Sequence, residues 1–303
     1  MLSTRIRPVQ NLNTPIPTAG AFARFAPALF VLLWSTGFVG AKFGLPYCEP
    51  VTFMWYRYSI VAVLLGGYVL YVRAPWPQRP STYLHLALTG LLLHGIYIGG
   101  VFIAIAHGMS SGIAALIVGV QPLLTATLVG PLLGDTLTRR QWAGFVVGFA
   151  GLVLTVAKTF DLGGMPLFGL MTCLCALFAI TFGTIYQKRH TVGVDSRVGA
   201  LVQFIATAAA AGVVSTLFET GEVEWHPRFV FALAWLCFAL SLGAISILWY
   251  LIKRGAAARV ASLFYLVPPV TAVEGYLLFG ETLHVAQMVG IATTAIGVAL
   301  INR

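Results

Sequence analysis

Ten apolar stretches, each about long enough to cross a bilayer, follow one another through this sequence with only short connections between them. They lie at roughly residues 25–44, 50–72, 82–106, 110–133, 138–157, 164–187, 197–218, 228–252, 257–280 and 284–301. In hydrocarbon no water satisfies the backbone, so a spanning chain must be helical or must close into a barrel. The stretches show no strict alternation of apolar and polar residues, which leaves helices. A soluble alternative would need a charged surface. Of 303 residues, 59% are hydrophobic and only 9% charged, against about 25% charged in a soluble domain. The expected fold is therefore an all-α integral membrane protein with ten transmembrane helices.

Charge sorts itself along these runs. If both termini are cytoplasmic, that side carries Arg73, Arg79, Arg139, Arg140, Lys188, Arg189, Arg197, Lys253, Arg254 and Arg259, with Arg5, Arg7, Arg24 and Arg303 in the terminal segments. The other side holds Lys42, Lys158 and Arg228, together with Glu49, Asp161, Glu219, Glu222, Glu224 and Glu281. This is the positive-inside pattern. The expected location is multi-pass in a bacterial-type cell inner (plasma) membrane. The net charge of +9 then reads as an orientation signal, not as nucleic-acid affinity. Residues 1–24 hold Pro8, Pro15 and Pro17 and no continuous apolar run, so a short cytoplasmic arm is expected there and not a signal peptide. Cys48, Cys173, Cys175 and Cys237 follow no disulfide framework and suit no metal site.

An internal repeat organises the spans. A shift of 146 residues places Ala115, Pro122, Thr125, Ala126, Gly134, Thr136, Leu137, Gln141, Gly144 and Gly151 on Ala261, Pro268, Thr271, Ala272, Gly280, Thr282, Leu283, Gln287, Gly290 and Gly297, and Asp135 on Glu281. The halves are 25–157 and 164–302, five helices each. An odd number of spans per half forces the second half to insert upside down. The expected architecture is two inverted five-helix repeats, an arrangement found in secondary transporters with substrate near the midplane.

Several motifs carry a family likeness. Trp34-Ser35-Thr36-Gly37-Phe38 is followed by Lys42, Arg57-Tyr58 opens the second span, and Pro122 and Pro268 each precede an acidic residue by thirteen positions, Asp135 and Glu281. In this order they resemble the drug/metabolite transporter superfamily, in particular ten-helix EamA-type transporters and their amino-acid exporters, those for aromatic amino acids included. Asp135 stands where that family more usually has Glu, and Phe178 where it often has Trp. The resemblance implies a secondary exporter or exchanger of small metabolites, with a cavity lined by helices one, three, four, six, eight and nine.

Titratable groups at membrane depth are costly and mark functional positions. Glu274 lies about 10 Å below the end of the ninth span, seven residues before Glu281. It is a candidate for binding a coupling proton or a substrate amine, or for an ion pair with Arg57 or Lys42. His94 and Tyr97 share a face of the third span and are candidate substrate contacts. Gln121 could offer a donor and an acceptor. Pro122, Pro268 and Pro269 should break their helices at matching places, freeing carbonyls that need partners or a polar cavity. Trp34, Phe38 and Tyr265 could close over an apolar side chain or a cationic amine. Each could equally pack inside the bundle.

The expected mechanism is alternating access, with export or exchange of small metabolites, foremost amino acids. The scarcity of fixed charge favours an amphipathic or zwitterionic substrate over a multiply charged one. A sugar-phosphate or other anionic metabolite exchanger, or a membrane sensor or channel, remains the alternative. No Walker-type glycine loop and no His-Glu-x-x-His motif occur, so no enzyme, metal or cofactor is expected. The expected partners are a small-molecule substrate and membrane lipid, without nucleic acid, and a monomer suffices.

Overall fold

The computed structural model describes residues 21–109, 111–133, 137–156, 167–254, 260, 262–279 and 284–302. Residues 1–20 of the expected amino-terminal arm, Asp135, Asp161, Arg259 and Glu281 fall outside them, whereas residues 21–24, expected in the arm, already belong to the first helix. The first span is α1 (Ala21–Gly44) and the second α2 (Pro50–Tyr71). The third is α3 (Pro80–Gly90) and α4 (Tyr97–Ala106), joined through a π-helical segment at Leu91–Ile96. The fourth comprises α5 (Ser111–Val118) and α6 (Gln121–Leu133), and the fifth is α7 (Arg139–Val156). The second half continues with α8 (Leu167–His190) and α9 (Ser196–Phe218). Its third span is α10 (Pro227–Trp235) and α11 (Ile245–Arg254), with a π-helical segment at Leu236–Ala244 between them. The ninth span runs from a 3-10 turn, Leu263–Leu266, into α12 (Val267–Phe279), and the tenth is α13 (Val285–Asn302).

Seven of the described helical segments are long and apolar enough to cross a membrane, and Leu263–Leu278 and Val285–Ile301 are shorter apolar helices. Large apolar side chains such as Val63, Leu70, Leu84, Leu217 and Leu277 point outward, the reverse of a soluble surface. Among the described residues no strand forms, and a single bridge joins Cys48 to Val223.

The inverted repeat is visible in the contacts. Helix α7 lies along α13, and α2 along α9, each pair being the same span of the two halves. Gly144 faces the carbonyl of Gly297, while its repeat mate Gly290 faces the carbonyl of Gly151, the mate of Gly297. A contact that maps onto itself when the halves are exchanged is the mark of a two-fold relation. The stacked rings of Tyr58 and Phe204, centroids 5.5 Å apart, are likewise mates under the 146-residue shift. The pseudo-axis therefore enters between the second and seventh spans and leaves between the fifth and tenth. Interruptions are paired as well. The two π segments lie in matching spans, and the break at Gly119–Val120 matches the 3-10 turn at Tyr265–Leu266.

The two ends of the bundle differ in charge. One end carries Arg73, Arg79, Arg139, Arg140, Lys188 and Arg189 and is the basic end. The other carries Glu49, Glu219, Glu222 and Glu224 and is the acidic end. At the acidic end the halves clasp one another. Glu49 precedes α2 without capping it. The Glu219 carboxylate from the other half takes over, accepting from the Val51 and Thr52 amides at 2.9 and 2.6 Å and from the Thr52 hydroxyl at 2.7 Å. This supplies acceptors and negative charge to exposed N–H groups of a helix start. Glu49 in turn accepts from the Thr220 amide and hydroxyl, both at 2.7 Å, which holds its carboxyl below the usual range. At the basic end Asp195 caps α9 through the Arg197 amide at 2.9 Å and pairs with the Arg197 side chain at 2.7 Å.

Candidate functional site

A cavity of about 460 Å3 opens between the halves toward the acidic end. Its wall includes Lys42 from the first span, Ser111 from the fourth, Thr155 from the fifth, Thr271 from the ninth and Gln287 from the tenth, with Ile105 and Ala106 from the third. The fifth and tenth spans thus stand where the family likeness placed the sixth and eighth. Close glycine packing of α7 on α13 carries Thr155 and Gln287 inward. Of the candidate residues, Lys42 and Pro268 line this cavity directly.

The helix breaks create the polar wall. Pro122 and Pro268 each fall in the first turn of a new helix, after Gly119–Val120 and after the 3-10 turn at Leu263–Leu266. A proline is tolerated there because first-turn amides lack helical partners anyway. Pro269 is buried beside Pro268. Restarting the helix at Val267 directs Thr271 into the cavity and places Glu274 about one turn nearer the acidic end on the same side of the helix. Glu274 is buried, and Ser35 donates to its Oε1 at 2.6 Å. Its Oε2 and the Thr271 hydroxyl have no hydrogen-bond partner among the described residues. Gln121 donates to Thr125 at 3.0 Å, and its own Oε1 is buried without a hydrogen-bond partner among the described residues.

A second polar cluster lies near the pseudo-axis. Arg57 is fully buried. Its Nε donates to Ser241 at 3.0 Å, its guanidinium carbon stands 5.1 Å from the centre of the Tyr58 ring, and Nη1 and Nη2 have no hydrogen-bond partner among the described residues. His94 faces Gln203 at 3.3 Å and packs on Tyr58 and Phe204. No ion pair joins Arg57 to Glu274, because the two carry separate partners on different spans.

Trp34 and Ser35 stand between the clusters. Trp34 reaches the Tyr97 side chain through its indole N–H, while Ser35 serves Glu274. Trp34 also meets Phe30 and Phe264, each with ring centroids 5.2 Å away. Phe38 is buried one turn further along α1. Tyr265 turns away from the cavity and packs on Gly148 and the edge of Phe145. Sequence reasoning missed Ser35, Tyr58, Gln203 and Ser241. The repeat offset could have found one of them, since it carries Arg57 onto Gln203.

Comparison with known proteins accords with this architecture. The model of the EamA-like transporter family matches residues 22–157 and again 167–303. The chain is 29% identical over 282 residues to the uncharacterized inner membrane transporter YedA of Escherichia coli K12, covering 91% of this chain and 88% of that protein. It is 26% identical over 278 residues to a probable amino-acid metabolite efflux pump of Salmonella typhimurium LT2, covering 88% and 90%. A solved crystal structure shares the fold, with a TM-score of 0.74 at 19% identity over 91% of this chain and 98% of that one. With both halves matched to one family and their spans arranged as inverted repeats around a shared cavity, the chain is a multi-pass membrane protein that belongs to the EamA-like transporter family.

Proposed function

We propose that this protein is a secondary transporter that exports or exchanges amino acids or related amphipathic metabolites across the cell inner membrane by alternating access. In this reading the basic end faces the cytoplasm, as positive-inside charge requires, and the cavity opens outward. The observation that carries it is the cavity between the two halves, open at one end, with the buried carboxylate of Glu274 about one helical turn from the Thr271 wall and one of its oxygens without a hydrogen-bond partner among the described residues. A carboxylate at that depth suits a substrate amine or a coupling proton. Ser35 can serve both protonation states. It donates to ionised Glu274; when the acid is protonated and donates instead, the Ser35 hydroxyl can turn to the Leu32 carbonyl at 2.8 Å. The aromatic cluster of Phe30, Trp34 and Phe264, next to Ser35 on the first span, would receive the apolar part of a substrate once the halves move. A family relative named as a probable amino-acid metabolite efflux pump supports the substrate class.

The test is counterflow in liposomes, with a panel of radiolabelled amino acids and a pH gradient imposed or collapsed. Saturable exchange by the wild type and loss of its pH drive in Glu274→Gln are expected. Non-saturable flux would mark a channel, and full pH-driven exchange by the variant would remove Glu274 from coupling.

A further inference from the structure

The Arg57 cluster lies apart from the cavity, and the transport reading gives it no task. Its guanidinium cannot shed its proton, Ser241 and the Tyr58 ring meet it without neutralising it, and a buried charge without a counter-charge costs several kcal/mol. The acidic residues among those described are engaged elsewhere or stand at the acidic rim: Glu274 with Ser35, Glu49 with Thr220, Glu219 with Thr52, and Asp195 with Arg197. The polar atoms left open around Arg57 favour a negative guest. Among the described residues they are the two Nη groups of Arg57, the Tyr58 hydroxyl and the amide nitrogen of Gln203, all able to donate; Nδ1 of His94, whose Nε2 donates to Gln203, is an acceptor beside them. The local contacts make one assembly of them. The guanidinium lies over Tyr58, Tyr58 lies on His94 with ring centroids 5.7 Å apart, and His94 meets Gln203. The open polar atoms of the other cluster include Glu274 Oε2 and Gln121 Oε1, which are acceptors. Open donors therefore predominate on the Arg57 side of Trp34, and the open carboxylate and amide oxygens lie on the other.

We infer that Arg57, Tyr58 and Gln203 form a site for a single monovalent anionic group, either the carboxylate of a bound solute or a free halide ion. Arg57 supplies a planar fork that suits a carboxylate. Tyr58 and Gln203 would add neutral donors. The position near the pseudo-axis places this site between the halves, where an anion would bridge α2 to α9. The proposal deepens the transport reading when the anion is the substrate's own carboxylate, with its amine directed toward Glu274. It stands without that reading when the anion is a halide.

The test is thermal unfolding of the full chain in detergent, in sodium chloride, sodium acetate or sodium sulfate at matched ionic strength. A ligand that binds only the folded state raises Tm with its concentration. A saturable rise of about 2–5 °C over sulfate is expected for the wild type. A rise in acetate alone assigns a carboxylate, and a rise in chloride assigns a halide. Arg57→Gln should abolish the rise. Tyr58→Phe, which keeps the ring, should weaken the apparent affinity about five-fold while leaving the maximal rise intact; it decides the matter if Arg57→Gln fails to fold. Equal responses of wild type and Arg57→Gln, no response to either anion, or an unchanged affinity in Tyr58→Phe would each overturn the proposal. The assay needs no translocation. A chain that responds to anions but shows no counterflow defeats the transport reading alone, and one that exchanges substrate without an anion response defeats this site alone.

Discussion

Replacing Gly151 or its repeat mate Gly297 with alanine should open the seam between the fifth and tenth spans. A methyl on Gly151 would lie 2.7 Å from the carbonyl oxygen of Gly290, and one on Gly297 would lie 2.7 Å from that of Gly144. Their closest contacts are the backbone nitrogens of Thr294 and Gly148. These are backbone atoms, so no side chain can swing aside. Restoring the 3.4 Å of ordinary contact at these nearest atoms requires the helices to part by about 1 Å. Overpacking of this kind costs about 1–3 kcal/mol, reduced by up to about 1 kcal/mol through the better helix propensity of alanine. At about 2–4 °C per kcal/mol for a large domain, Tm should fall by up to roughly 8 °C. The repeat adds a sharper demand: Gly151→Ala and Gly297→Ala should fall by similar amounts, because their contacts are mates. Gly67 provides the control, since no atom lies within 4 Å of a methyl placed there. Gly67→Ala should be neutral or slightly stabilising. Thermal unfolding in detergent reads all three. If Gly67→Ala falls as far as Gly151→Ala, the loss comes from the general loss of glycine, and the reasoning about the seam is wrong.

At the acidic end, Glu219→Gln should cost about 1–2 kcal/mol and lower Tm by a few degrees, because three hydrogen bonds to the start of α2 lose their charge; Glu222→Gln, at the exposed rim, is the control. At the basic end, Asp195 is held down to about 2 by the Arg197 side chain and amide. A lowered folded value means that this stabilisation is complete above about pH 4 and disappears as pH falls toward 2. Its size is a few tenths to about 1 kcal/mol, because the pair is partly exposed. Asp195→Asn keeps a helix cap and should flatten that part of the stability–pH curve.

The spans were legible because the physics that sets them is one-dimensional: about twenty apolar residues suffice, whatever they touch. The seam was legible in part, since Gly144, Gly148 and Gly151 recur at spacings suited to close packing. Which helix they face came only from the fold. The candidate site was less accessible. Glu274 and Arg57 stood out as charges at depth, but their partners Ser35 and Ser241 are ordinary residues whose direction depends on helix rotation. Tyr265 shows the converse, an aromatic of the right type at the right depth that faces the α7 seam. Glu49 and Glu219 were read as orientation signals, and their crossed capping needs two loops brought together, which no periodicity reports.

The repeat carries one step further than the state described. If exchanging the halves converts an opening at the acidic end into one at the basic end, the mates of today's wall residues should line the other opening. Five of the fourteen wall residues, Lys42, Pro268, Thr271, Ala272 and Gln287, map by 146 residues onto the same residue types, Lys188, Pro122, Thr125, Ala126 and Gln141, whereas others such as Ser111 and Thr155 fall on Ala257 and Ile301. General membrane packing does not demand a lysine, a threonine and a glutamine at mated positions, whereas two alternately open cavities of similar polarity do. Thr125 is now buried and accepts a hydrogen bond from Gln121, as expected of a closed side. In a background lacking Cys48, Cys173, Cys175 and Cys237, Thr271→Cys should react with an impermeant maleimide from the acidic end and Thr125→Cys from the basic end. Conditions that raise one rate should lower the other, because a single rocking equilibrium exposes them in turn. Rates that rise together would mean a continuous pore, and the mated residues would then line two mouths of one channel.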